Sequence, residues 1–290
     1  MSDLFDDEID EKLAQAEAPF THIGDIVANM HTRPLNSGFR ELEKFEILRH
    51  AEPDLVILGA RPGNGKTAFL VQTLKHIAQN EGTAIMFSLE MSKEQLKKRI
   101  LADESNTDIK KLHNLSQDKI GIVDGRLKSG TPFLVDDTKG LDINNLRARV
   151  LAYRKRHPIS IVGVDYLQIV RTSTGRSKRE EILEVTEGLK QLANDIGCPV
   201  LAVAQMSREI EKRQQMSKAA KPVMSDLQEC GGIENWADQI AFLDAAWRRD
   251  PARAREVDFY VEKNRHGNTG RFVLEFLGEQ CKFKDFEPGL

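Results

Sequence analysis

The stretch GARPGNGKTAFL, Gly59–Leu70, decides the fold. An apolar run of strand length, DLVILGA (54–60), leads into it, and a helix-period segment starts near Lys66. Strand, glycine-containing loop and helix, in that order, form a loop whose backbone N–H groups turn inward on an anion at a helix N-terminus. Gly63 and Gly65 stand where the backbone would press against a β-phosphate. Lys66 would reach the β- and γ-phosphates, and the Thr67 hydroxyl would ligate Mg²⁺. The expected nucleotide-binding set is Arg61, Pro62, Gly63, Asn64, Gly65, Lys66, Thr67 and Ala68. The strict pattern G-x-x-x-x-G-K-[ST] has glycine where this chain has Ala60. A methyl group is acceptable there provided the strand exit keeps a negative φ.

Working outward, further apolar runs alternate with helix-period segments. The runs are TAIMFSLEM (83–91), TPFLVDD (131–137), ISIVGVDYLQIV (159–170) and CPVLAVAQM (198–206). Their nearly continuous apolar character suits strands buried on both faces. Lys66–Asn80, Ser92–Asp103, Asp142–Arg156 and Lys178–Ile196 read as helices. The last sets Ile182, Val185, Leu189, Leu192 and Ile196 along one face and stops at Gly197 and Pro199. This alternation predicts an α/β fold, a mainly parallel sheet with helices on both faces. Past residue 238, QIAFLDA, VDFYVEKNR and RFVLEFL with the short turn HGNTG predict a hairpin that closes the sheet.

A phosphate loop needs carboxylates. Asp165, ending the run IVGVD, has the position of a Walker B carboxylate for the metal's water shell. Glu90, in FSLEM, is the candidate to position an attacking water, the alternative being a solvated helix-capping glutamate. At the carboxyl ends of parallel strands these groups would converge on one crevice.

Composition narrows the classes. No apolar run approaches the ~20 residues that cross a bilayer, and MSDLFDDEID is the reverse of a secretion signal. Three widely spaced cysteines without a CxxC pair argue against a disulfide scaffold or structural zinc, so a reducing cytoplasm is expected. The net charge of −3 hides an asymmetry: residues 1–17 hold seven acids against Lys12, and the remainder is slightly basic. Residues 1–20 form an expected tail ahead of a domain over 21–290. Phe5, Ile9 and Leu13 recur every four residues, so the tail is either a disordered acidic leader or a short helix that docks on a neighbouring subunit or another protein.

ARPGNGKTAF, FSLEMSKEQLKKR, VDYLQIV, VAQMSREIEKR, SDLQECGGIENWAD and EKNRHGNTG, in this order over residues 60–270, closely resemble the motor domain of the DnaB family of replicative helicases. Ala-Arg-Pro at the head of the phosphate loop is characteristic of that family. The resemblance implies a RecA-like P-loop ATPase assembled as a hexameric ring around single-stranded DNA, moving 5′ to 3′, with Mg·ATP bound between subunits. On matching positions it implies that Glu90 activates water and that Gln205 senses the γ-phosphate. Arg265, with Lys263, would be the arginine finger offered to the neighbour's site. Charge on the γ-phosphate is then neutralised only in a closed ring. Helicase loader and primase are the further partners it implies, in the cytoplasm of a bacterium or an infected bacterial cell.

DNA contact is expected from two loops. Residues 208–221 bring Arg208 and Arg213 among five cations against two acids. SDLQECGG brings Gln228, Glu229 and Gly231. Here the chain departs from the family, with Gln228 where arginine is usual and Cys230 where serine is usual. Loss of one phosphate charge should flatten the salt dependence of binding by about one unit of slope. Such contacts follow the backbone without reading sequence. RTSTGRSKR (171–179) either lines the channel or is a solvated loop. Family members usually have an N-terminal collar domain that engages primase, and the acidic tail stands in its place, an arrangement that would fit a virus or mobile element. Two other functions remain open from sequence: a RadA-like DNA-stimulated ATPase of recombination or repair, and a non-catalytic adaptor of a host helicase.

Overall fold

The computed structural model describes residues 33–172, 177–227 and 230–287, all within one compact unit that begins at Arg33. The expected tail and the boundary at residue 20 lie outside the described residues.

Among the described residues, nine strands form one sheet in the order β3-β2-β4-β5-β1-β6-β7-β8-β9. The parallel part comprises β1 (Leu55–Ala60), β2 (Ala84–Ser88), β3 (Phe133–Asp136), β4 (Ile161–Asp165), β5 (Val200–Gln205) and β6 (Gln239–Ala245). Every residue of β1, β2 and β4 is buried. Along β1, Leu55 and Ile57 join the core on one face, and Val56, Leu58 and Ala60 join the other. That is the period-two signature of a strand covered on both sides.

The helices are α1 (Arg40–Lys44), α2 (Lys66–Asn80), α3 (Lys93–Glu104), α4 (Gln117–Ser129), α5 (Ile143–Arg154), α6 (Lys178–Ile196), α7 (Glu209–Met216) and α8 (Cys230–Trp236). The four expected helices are α2, α3, α5 and α6. Their starts follow from capping: Ser92 with Gln95 and Ser177 with Glu180 form capping boxes, and Asp142 accepts from the Asn145 N–H. Gly197, left-handed at φ 68°, closes α6. Leucines and valines of α2 pack on one face of the sheet, and those of α5 and α6 on the other.

Three features differ from the sequence reading. QIAFLDA is β6, parallel to β1 on one side and antiparallel to the next strand on the other, so it joins the parallel sheet to the closing segment. The antiparallel edge contains the hairpin β7 (Glu256–Asn264) and β8 (Gly270–Leu277), plus a short ninth strand, β9 (Lys282–Asp285). Residues 208–221, expected as a loop, include the eight-residue helix α7, anchored by buried Ile210.

Candidate functional site

The carboxyl ends of β1, β2, β4 and β5 converge, as a parallel sheet with crossovers requires. β1 delivers Ala60, fully buried and outside the residues with positive φ, so the strand exit tolerates its methyl group. The turn that follows is made by glycine: φ is 81° at Gly63 and 87° at Gly65. A Cβ on Gly65 would stand 2.6 Å from Phe283, and one on Gly63 would stand 2.6 Å from the Arg248 guanidinium. The left-handed backbone disfavours side chains at both positions, and at Gly65 the Phe283 ring excludes them as well. Asn64 ties the loop to the sheet, donating from Nδ2 to the Leu243 carbonyl at 3.0 Å.

Lys66 opens α2 and points over a cavity of about 290 Å³ whose lining includes Gly63, Thr67, Glu90, Arg99, Tyr166 and Gln205. Its Nζ lies 3.6 Å from Glu90 Oε2, 3.7 Å from Asp165 Oδ1 and 3.9 Å from the centre of the Tyr166 ring. Thr67 Oγ1 donates to Asp165 Oδ2 at 2.6 Å. Burial pushes the Asp165 carboxyl above its ordinary range, against the pull of the Lys66 charge and the Thr67 hydroxyl. Its Oδ1 is buried with no hydrogen-bond partner. A buried carboxylate oxygen free of hydrogen bonds beside a helix-start threonine suits a hydrated Mg²⁺, which keeps several waters and takes few protein ligands. Among the described residues no group of three or more His, Cys, Asp or Glu is placed to hold a metal by itself.

Gln205 ends β5 at the cavity wall. Its backbone is held by Gln168: the Gln205 N–H donates to Gln168 Oε1 and Gln168 Nε2 donates to the Gln205 carbonyl, each at 3.1 Å. Sequence reasoning did not find Gln168 or Arg99. Arg99 shares the α3 stripe of Leu96, Ile100 and Asp103, so a cation on a buried face was the available signal.

The remaining expected residues are scattered. Arg265 and Lys263 lie at the opposite end of the sheet. Arg265 pairs with Asp238 Oδ1 at 3.0 Å, and Asp238 Oδ2 accepts from the N–H of Leu55, the first residue of β1. Lys263 donates to the Glu234 carbonyl at 2.7 Å, and burial, with the charge of Arg265, lowers its pKa. The length of β1, roughly 17 Å by strand rise, therefore divides Arg265 from the phosphate loop of its own chain.

Arg61 and Arg213 are engaged internally. Arg61 bonds Glu211 and the Met206 carbonyl, both at 2.8 Å, while Arg213 grips Asp226 through two contacts of 2.6 Å. Arg208 is exposed at the start of α7 and has no ion pair among the described residues. Gln228 and Glu229 lie outside the described residues, and Gly231 falls in the first turn of α8.

The fold and the cradle define the class: a RecA-like P-loop ATPase domain. Residues 34–285 match the family of the DnaB-like helicase C terminal domain, and the chain belongs to that family. It is 33% identical to the replicative DNA helicase DnaB of Geobacillus stearothermophilus, over 98% of this chain and 67% of that protein. It is 31% identical to the replicative DNA helicase DnaC of Bacillus subtilis, over 97% and 68% respectively. Among solved structures it is similar to that of an ATPase domain, with a TM-score of 0.80, 26% identity and 99% of each chain covered. It also resembles a DnaB-like replicative helicase described with its interactions with primase, with a TM-score of 0.79, 26% identity, and 97% and 67% covered.

Proposed function

We propose that this chain is the motor of a hexameric replicative helicase that hydrolyses Mg·ATP, moves 5′ to 3′ on single-stranded DNA and unwinds the duplex ahead. The observation that supports it most is the separation of Lys66 from Arg265 along β1, since a cation at the far end of the sheet can serve only another subunit's pocket.

On this reading the loop amides of residues 61–68 and Lys66 hold the β- and γ-phosphates, and Glu90 orients the attacking water. Thr67 and Asp165 would hold Mg²⁺, which when bound neutralises phosphate charge. The neighbour's Arg265 and Lys263 supply cations where charge develops on the γ-phosphate. Gln205 touches the γ-phosphate and passes its loss to the chain beyond β5. Gly63 also lines a second, more apolar cavity of about 470 Å³ with Trp247 and Phe276, whose rings stack at 6.2 Å. The nucleobase occupies it, so Trp247→Ala should raise the KM for ATP with little change in kcat, measured by steady-state hydrolysis.

DNA is gripped through phosphates by Arg208 and by the backbone of the second loop at 228–231, with a shallow salt dependence because few cations are free. Arg213 acts there by holding Asp226 in place. A loader or a primase is the further partner this reading calls for. Strand displacement on a forked substrate with ATP is the test: displacement dependent on Lys66 supports the reading. Hydrolysis stimulated by single strands with no displacement would place the chain among DNA-remodelling ATPases instead.

A further inference from the structure

Arg61 lies inside the phosphate-loop sequence, yet its guanidinium does not line the nucleotide cavity. The side chain is 11% exposed and turned the other way. Its Nε donates to Glu211 Oε1 at 2.8 Å, and its Nη1 donates to the Met206 carbonyl at 2.8 Å. Met206 directly follows Gln205, and its own N–H returns to the Ala60 carbonyl at 3.2 Å. Glu211 sits in α7, within a turn of exposed Arg208. Met206 also bridges Leu227, and the Ser207 N–H donates to the Asp226 carbonyl at 2.7 Å, so the approach to the second loop hangs from the same point.

We propose that Arg61 is a positioning residue that makes the phosphate loop, the end of β5 and helix α7 one mechanical unit, so that nucleotide state and grip on DNA change together. The proposal rests on the motor reading above. A guanidinium suits the task because its planar fork holds two acceptors in fixed directions, which a lysine cannot do. Both bonds join the loop to the segment after Gln205, so displacement of either end is felt at the other. The nucleotide itself is left to the backbone, Lys66 and Thr67.

The test compares Arg61→Gln, Glu211→Gln and the exchanged pair R61E/E211R with the unmodified full-length chain. Binding of a fluorescent ATP analogue, basal turnover and turnover with an oligothymidine strand are measured for each. Wild-type turnover stimulated by the strand is the control, and its absence would sink the motor reading while leaving the strut unjudged by that reading alone. In that event, loss of α7 protection from hydrogen exchange on adding the analogue, in wild type but not in Glu211→Gln, still decides for or against the strut. Given stimulation, Arg61→Gln and Glu211→Gln should bind the analogue within about twofold of wild type while losing about two- to thirtyfold of strand stimulation. The exchanged pair should recover only the share carried by the ion pair, because R61E leaves the Met206 carbonyl without its donor, and any recovery above both single variants is more than a purely structural defect would allow. Full stimulation in Glu211→Gln, or an Arg61→Gln defect confined to nucleotide affinity, overturns the proposal.

Discussion

Arg265 and Asp165 show how surroundings set what a single side chain can do. Arg265 is half exposed and held by one carboxylate, Asp238, which suits the proposed exchange of that partner for a neighbour's phosphate. Arg265→Ala should leave analogue affinity nearly intact and lower turnover by about 10³-fold or more, the usual worth of an arginine finger, in a single-turnover assay. Asp165 is fully buried, with one oxygen on Thr67 and the other without a hydrogen bond, 3.7 Å from the Lys66 ammonium. Burial raises its pKa, so its ionised form weakens the fold: the stability due to the neutral acid is present below the unfolded value of 3.8 and lost as pH rises through the raised folded value. Asp165→Asn should therefore flatten the fall in stability over that window, read by thermal melts without nucleotide. It should also abolish Mg²⁺-dependent hydrolysis.

At the scale of elements, legibility followed burial. Helix α6 was readable because its apolar residues repeat at helical spacing between a serine cap and a terminating glycine. The loop before α2 was readable because Gly63 and Gly65 are required by backbone geometry that no other residue adopts cheaply. Helix α4 was missed because its stripe of Ile120, Val123 and Leu127 is short, fully buries only Val123 and is interrupted by Gly121 and Gly125. Helix α7 was read as loop because its residues are nearly all charged or polar, and the ties that hold it come from distant positions: Arg61 to Glu211, and Asp244 to Gln214. Contacts of this kind have no signature in local sequence. Arg213 illustrates the same limit, since only the fold reveals that Asp226 claims its charge.

The antiparallel edge depends on a similar hidden partner. Asp258 of β7 is 1% exposed and accepts from Arg249, Arg253 and Arg271. Burial alone would raise its pKa, but the hydrogen bonds and charges of Arg253 and Arg271 win and lower it. A depressed folded value means stability present above the unfolded 3.8 and lost as pH falls through the folded value. Asp258→Asn should cost about 3 kcal/mol at neutral pH. It should also remove that acid limb, measured by urea unfolding at several pH values.

For the whole molecule, the sheet acts as a spacer. Its carboxyl ends hold the phosphate loop, Thr67, Glu90, Asp165 and Gln205, while its opposite end presents Lys263 and Arg265. No helix among the described residues is long and apolar enough to cross a membrane. On the proposed reading such a protomer would bear two halves of different sites, and head-to-tail contact with its neighbour would complete each of them. Hydrolysis would then be a property of the assembly, and strand-stimulated turnover should rise more steeply than linearly with protein concentration.

The most direct test of that claim mixes two inactive variants, Lys66→Ala and Arg265→Ala, under conditions that let subunits exchange. If the pocket is shared, an equal mixture regains about a quarter of the intact interfaces of the wild type, each pairing a sound cradle with a sound finger, and ATP turnover returns in proportion. If both residues serve the same chain's pocket, the mixture stays as inactive as its parts, and the account of a shared site is wrong.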